Sequence, residues 1–233
     1  MPMPVDELRT LMAVALAGLL LLLRLDAPRF SAAEYDVEAP DDAIGGLATR
    51  AAWPGLAIVL AVGIALLLPA GPAAVGLGRA TLLSFPTLAW AIIGSAIGVA
   101  AVLGVAWLRE RAWPPRLRPR EAGPRLAFDA VATAIVDELT FRGVLLGLLL
   151  LAGVPPTFAF LVQLVLYGLA TRLGRSTATL GLLVEALCLG ALTGALALAT
   201  GGVVAPLVAH AVIRFAALDV AAAPAPLLPR GFL

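Results

Sequence analysis

The sequence predicts an all-α, polytopic integral membrane bundle of about seven transmembrane helices. Three observations lead there. Of the 233 residues, 61% are hydrophobic and only 13% charged, against about 45–50% and about 25% in soluble domains. The mean hydropathy is +1.02. Apolar runs close to the ~20 residues that cross a bilayer recur at 8–25, 53–70, 82–108, 127–152, 155–173, 177–200 and 203–222.

The first run holds Arg9 near its start and Arg24 near its end, and Asp26 and Pro28 follow it. Arg9, the stretch 11–23 and Ser31-Ala32-Ala33 also fit a secretory leader, but the charges and proline after that stretch suit a retained helix better. Residues 26–52 form a polar, acidic segment with Glu34, Asp36, Glu38, Asp41 and Asp42. Such a segment reads as a solvated loop. The second run ends at Pro69-Ala70-Gly71-Pro72, where proline and glycine cannot continue a helix. The third gives way to the arginine-rich stretch 109–125, whose Trp113-Pro114-Pro115-Arg116-Leu117-Arg118-Pro119-Arg120 reads as a stiff basic linker. Gly153-Val154-Pro155-Pro156 divides the fourth run from the fifth, and Thr200-Gly201-Gly202 the sixth from the seventh.

These breaks suggest a three-helix region (1–108), a basic cytoplasmic linker (109–126) and a four-helix core (127–233). The first region is expected to carry no buried charge. Orientation follows from arginine, because cytoplasmic loops are enriched in Lys and Arg while acids count for little. The linker holds six arginines (109, 111, 116, 118, 120 and 125), and Arg172 and Arg175 lie two crossings later. With both inside, Arg24, Arg29 and Arg50 also fall inside, and the N-terminus is outside and the C-terminus inside. All basic residues are Arg and none is Lys, which with the abundant Ala and Gly suggests a GC-rich bacterial genome, so the expected location is a bacterial inner membrane.

A formal net charge of +1 gives no global field to recruit nucleic acid. With one Cys and one His, no intrachain disulfide forms and a protein-only zinc site lacks ligands. A lone His fixes neither a metal nor a porphyrin ring, so no cofactor is expected.

The chemistry concentrates in the fourth run, where Asp137, Glu138 and Arg142 stand among apolar residues. A charge near the centre of a membrane helix costs roughly 2.5–3.5 kcal/mol, so three approach ~10 kcal/mol before pairing. Such side chains turn inward, and an intramembrane cluster marks a functional site by default. Glu138 and Arg142 stand four residues apart, on one helical face. The fifth helix offers Gln163, Tyr167 and Thr171, the sixth Glu185, and the seventh His210 and Arg214. Four consecutive helices are therefore expected to point polar groups at one another. Glycine pairs four apart (Gly94/Gly98, Gly143/Gly147, Gly190/Gly194) indicate closely packed helices.

Taken together, Asp137-Glu138-Leu-Thr-Phe-Arg142-Gly143, Tyr167 with Thr171, and Gly201-Gly202-Val-Val-Ala-Pro-Leu-Val-Ala-His210 resemble the CPBP family of intramembrane proteases, over roughly residues 125–222. That family includes the CAAX-processing endopeptidases and the bacteriocin-processing or immunity proteins. Its pattern is Glu-Glu-x-x-x-Arg, Phe-x-x-x-His, then His-x-x-x-Asn or Asp. The resemblance implies a helical bundle around a polar cavity. In it a motif-one Glu and the motif-two His activate water, and the other polar residues stabilise the oxyanion.

The six motif positions here are Asp137, Glu138, Arg142, Thr171, His210 and Arg214. Glu138, Arg142 and His210 match the pattern. Asp137 is one methylene shorter than Glu, Thr171 replaces the motif-two His, and Arg214 puts a permanent cation where the family has Asn or Asp. Each change weakens water activation. The resemblance therefore implies a degenerate member: a non-catalytic subunit or scaffold whose expected partners are the bilayer and other membrane subunits. Two alternatives are an active endopeptidase, acting on membrane or lipidated peptides through the acidic pair and His210, and a carrier built on the intramembrane carboxylates.

Overall fold

A computed structural model describes residues 5–30, 47–78, 84–110, 123–173 and 180–220. The acidic segment over 31–46, Arg79, the basic stretch 111–122, Arg175 and the chain beyond 220 lie outside the described residues, and so do the calls of loop and linker made on them.

Seven helices run through the described residues. They are α1 (Val5–Leu25), α2 (Leu47–Leu67), α3 (Phe85–Glu110), α4 (residues 123–151), α5 (Pro156–Leu173), α6 (Leu180–Thr200) and α7 (Val204–Val220). No strand occurs among them, and four helices are long and apolar enough to cross a membrane: 5–25, 48–67, 85–108 and 180–200. The chain is a multi-pass helical membrane protein. α4 falls outside this group because its middle is charged, and α5 and α7 because they are shorter, with α5 apolar over 156–171 and α7 only 17 residues long.

The glycine pairs explain why the helices lie so close. A Cβ on Gly94 would sit 2.6 Å from Leu196 Cδ1 and one on Gly98 2.1 Å from Ile213 Cδ1, so α3 beds directly onto α6 and α7. Gly190 and Gly194 of α6 do the same for Tyr167 and Gln163 of α5, at 2.8 and 2.5 Å. The partner of Gly147 is not a crossing helix. Its Cβ would stand 2.1 Å from the carbonyl oxygen of Ala74, in the short 3-10 turn Gly71–Val75 that follows α2. That turn ends at Gly76, whose φ of +69° suits glycine, and its carbonyl accepts the Val203 N–H at 3.1 Å. The turn is thus fastened between the end of α4 and the start of α7.

At the opposite end of the bundle, the Trp53 indole donates to the Leu23 carbonyl at 3.0 Å, joining the end of α1 to the start of α2. Leu218 packs against Leu126 and Ala130, which sets α7 antiparallel to α4. α2 begins six residues before the sequence expectation, at Leu47 rather than 53, with Pro54 inside it. The added turn carries Arg50, whose ion pair with Asp129 rewards keeping those residues helical.

α4 departs from regular geometry. It is α-helical over Gly123–Asp137, π-helical over Glu138–Leu145, and α-helical again over Leu146–Leu151. A π segment widens the turn and is found mostly at functional sites. This one starts at the second acidic residue and contains Arg142. Thr140 supports it by donating its hydroxyl to the Val136 carbonyl at 2.6 Å.

Candidate functional site

Two carboxylates at neighbouring positions of a helix point in directions about 100° apart, so they cannot share all their partners. Asp137 and Glu138 are both fully buried, and each has its own set. Glu138 Oε1 meets His210 Nδ1 at 2.7 Å, and its Oε2 lies 3.4 Å from Arg142 Nε. The widened turn therefore keeps Glu138 and Arg142 on one face, as their spacing predicts.

Arg142 is fixed on two further sides. Its Nη2 donates to the Gly190 carbonyl of α6 at 3.2 Å. Its guanidinium carbon stands 4.3 Å from the centroid of the Tyr167 ring, a favourable cation–π position. Tyr167 also packs edge-on against Phe141, with centroids 5.1 Å apart. The aromatic residue of the middle motif thus forms a wall of the pocket.

Asp137 is held differently. One oxygen, Oδ1, is ion-paired with Arg24 Nε, and the other accepts from the Tyr167 hydroxyl at 3.3 Å. Oδ2 is also 4.0 Å from His210 Nε2. Arg24 belongs to α1 and is itself 0% exposed. Leu21 and Leu25 flank it and pack against the cluster of Phe141, Tyr167, Ala170, Leu182 and Ala186. The end of α1 therefore closes the crevice between α4, α5 and α6.

This corrects the expectation that the first three helices carry no buried charge. Arg24 is fully buried, and Arg50 of α2 is paired with Asp129, its side chain only 15% exposed. Arg125 and Arg214 lie within electrostatic range of the same Asp129, and Arg50 also approaches the Phe128 ring at 6.0 Å. A second cluster thus lies about two helical turns before Asp137, built by α2, α4 and α7.

The other sequence-derived residues take these places. Asp137, Glu138, Arg142 and His210 come together in one buried cluster. Thr171 is buried, and its hydroxyl donates to the Tyr167 carbonyl of its own helix at 2.9 Å. Arg214, also buried, neighbours Asp129. Glu185, expected to face inward from the sixth helix, is instead exposed. A carboxylate facing the glycine row of α6 would meet Tyr167 and Phe160, which fill that space. What α6 contributes is the Gly190 carbonyl. Gln163 is fully buried with neither amide atom hydrogen-bonded among the described residues.

The carboxylates of Asp137 and Glu138 face the guanidiniums of Arg24 and Arg142, with the imidazole of His210 between the two carboxylates. Among the described residues no group of three or more His, Cys, Asp or Glu side chains is arranged to hold a metal ion. Arg24 had a visible signal in the sequence. It is the one charge within an apolar run from Met12 to Leu25, and the reasoning applied to Asp137 applies to it equally.

Residues 120–216 match the family described as type II CAAX prenyl endopeptidase, Rce1-like. The match largely overlaps the stretch over which the motifs resemble the CPBP intramembrane proteases and agrees with that resemblance. No curated protein and no solved structure matches the chain.

Proposed function

We propose that this CAAX-protease-like domain no longer hydrolyses peptides, and that the protein serves as a non-catalytic subunit or scaffold in a bacterial inner-membrane complex. The observation that carries this reading is the pairing of both motif-one carboxylates with internal partners: Asp137 with Arg24 and Tyr167, Glu138 with His210 and Arg142. A carboxylate turned to protein partners has fewer lone pairs left to accept a proton from water. Thr171, at the position of the motif-two imidazole, hydrogen-bonds to its own helix.

The reading keeps the bundle and moves its use to the surface. α1 and α3 leave most of their length uncovered, with 17% of each spanning window buried. These helices offer faces to lipid or to a neighbouring subunit. With the N-terminus outside and the C-terminus inside, the three-helix region (1–108) presents those faces. In that orientation the basic linker (109–126) and the four-helix core (127–233) follow in sequence from the cytoplasmic side.

Affinity purification in mild detergent tests the subunit role. Another membrane chain is expected at fixed stoichiometry, and a monodisperse, partner-free monomer from native membranes contradicts it.

One observation favours a second reading, an active endopeptidase. His210 Nε2 has no hydrogen-bond partner among the described residues and lies 4.0 Å from Asp137 Oδ2. A water between these two atoms would meet both an imidazole and a carboxylate, the pair that general-base chemistry uses.

A further inference from the structure

The two sides of His210 are unequal. Nδ1 is bonded to Glu138 at 2.7 Å, whereas Nε2 stops 4.0 Å short of Asp137 Oδ2. A hydrogen bond between nitrogen and oxygen needs about 2.7–3.2 Å, so Asp137 stands roughly one ångström outside reach. On its far side Oδ1 is taken by Arg24 Nε, and the Tyr167 hydroxyl donates to Oδ2 at 3.3 Å. Arg24 comes from α1, outside the family-matched residues 120–216.

Among the described residues, several elements place groups near the imidazole. α4 presents Asp137, Glu138 and Arg142, α5 the Tyr167 hydroxyl, α6 the Gly190 carbonyl, and α1 Arg24. Of these, Asp137 is the carboxylate with three neighbours, the Arg24 guanidinium on Oδ1 and the Tyr167 hydroxyl and the imidazole on the side of Oδ2.

We propose that Arg24 is a positioning residue for this pocket: by holding Asp137 away from His210 it keeps the imidazole bonded on one side only. The N-terminal helix thereby sets the state of the site. Buried charge is tolerated only when compensated. With Arg24 present, two carboxylates face two guanidiniums and the imidazole stays neutral, its proton on Nδ1 toward Glu138. Without Arg24, one negative charge is left over. The imidazole then takes a proton from solvent onto Nε2 and donates it in a hydrogen bond to Asp137, so that the lost positive charge is replaced. The proposal deepens the charge-paired reading given above and rests on it. Its test reads the ring and not cleavage, so an active enzyme would leave it standing.

The chain holds a single histidine, so protein labelled with [15N]histidine gives one pair of ring-nitrogen resonances. In wild-type protein in lipid nanodiscs at neutral pH, the two are expected to be widely separated, the signature of a neutral ring protonated on one nitrogen. In Arg24→Gln they are expected to converge to the close spacing of a doubly protonated ring. Arg24→Lys should keep the wild-type pattern, and Arg24→Gln combined with Asp137→Asn should return to it. Arg50→Gln, which breaks the neighbouring pair with Asp129, should leave the ring unchanged. An Arg24→Gln spectrum that superposes on wild type overturns the proposal, as does equal convergence in the double variant. Wild-type protein alone also decides if Arg24→Gln does not fold: a ring already protonated on both nitrogens contradicts it.

Discussion

Arg24→Met is expected to destabilise the folded chain toward the lower end of the about 3–5 kcal/mol typical of breaking a buried ion pair from one side. Methionine keeps the unbranched stem that packs beside Leu21 and Leu25, so the loss reports the guanidinium and not a cavity. It leaves Asp137, fully buried, with only the Tyr167 hydroxyl at 3.3 Å and an imidazole 4.0 Å away. The imidazole can take over part of the compensation, which places the effect low in the range. Asp137→Asn should cost a similar amount by stranding Arg24. Combined, the two substitutions should recover to within about 1–2 kcal/mol of wild type, because paired charges replaced together leave little uncompensated. Denaturant titration in mixed micelles measures the cycle, and simple addition of the two losses would show that Arg24 and Asp137 do not pair.

Glu138→Leu should destabilise more, by about 4–5 kcal/mol, because one carboxylate serves two partners. It accepts from His210 Nδ1 at 2.7 Å and neutralises Arg142, whose Nε lies 3.4 Å away. Leucine strands both. Arg142 keeps the Gly190 carbonyl and the Tyr167 ring, but neither supplies a negative charge. Glu138→Gln retains an oxygen acceptor for the imidazole and loses only the charge, so about 1–3 kcal/mol is expected. Thermal melts followed by circular dichroism should rank the variants in that order. Equal loss in both would mean that the charge, which both variants remove, is what Glu138 provides, and that the acceptor retained by glutamine contributes nothing.

Much of the architecture was legible because a bilayer enforces it. Every crossing segment must satisfy its backbone internally, so apolar length and the Pro/Gly breaks located the seven helices to within several residues. The inner pocket was legible for the same reason. Asp137, Glu138 and Arg142 have no tolerable place except inside, and the single imidazole was the natural partner. Arg24 was different. Its nearness to the end of α1 let it be read as a flanking charge that orients the helix, while its side chain is fully buried against Asp137. Sequence periodicity cannot say which helix of a bundle lies beside which, and the Arg24–Asp137 contact spans 113 positions.

The π segment was equally hidden. Glu138–Leu145 contains no proline, and a spacing of four joins Glu138 to Arg142 in either kind of turn. Glu185 misled for an opposite reason. A carboxylate in an apolar helix suggested an inward side chain, but the glycine face of α6 is already covered by aromatic rings and Gln163 from α5.

The most direct measurement concerns water activation itself. Purified protein in lipid vesicles is incubated with a prenylated peptide anchored in the same bilayer, alongside vesicles containing Glu138→Gln. With both carboxylates committed to arginine, tyrosine and histidine partners, cleavage should not exceed that in the variant at any pH. Turnover that Glu138→Gln abolishes, with the bell-shaped pH profile of a carboxylate–imidazole pair, would contradict the account and establish the pocket as a working protease.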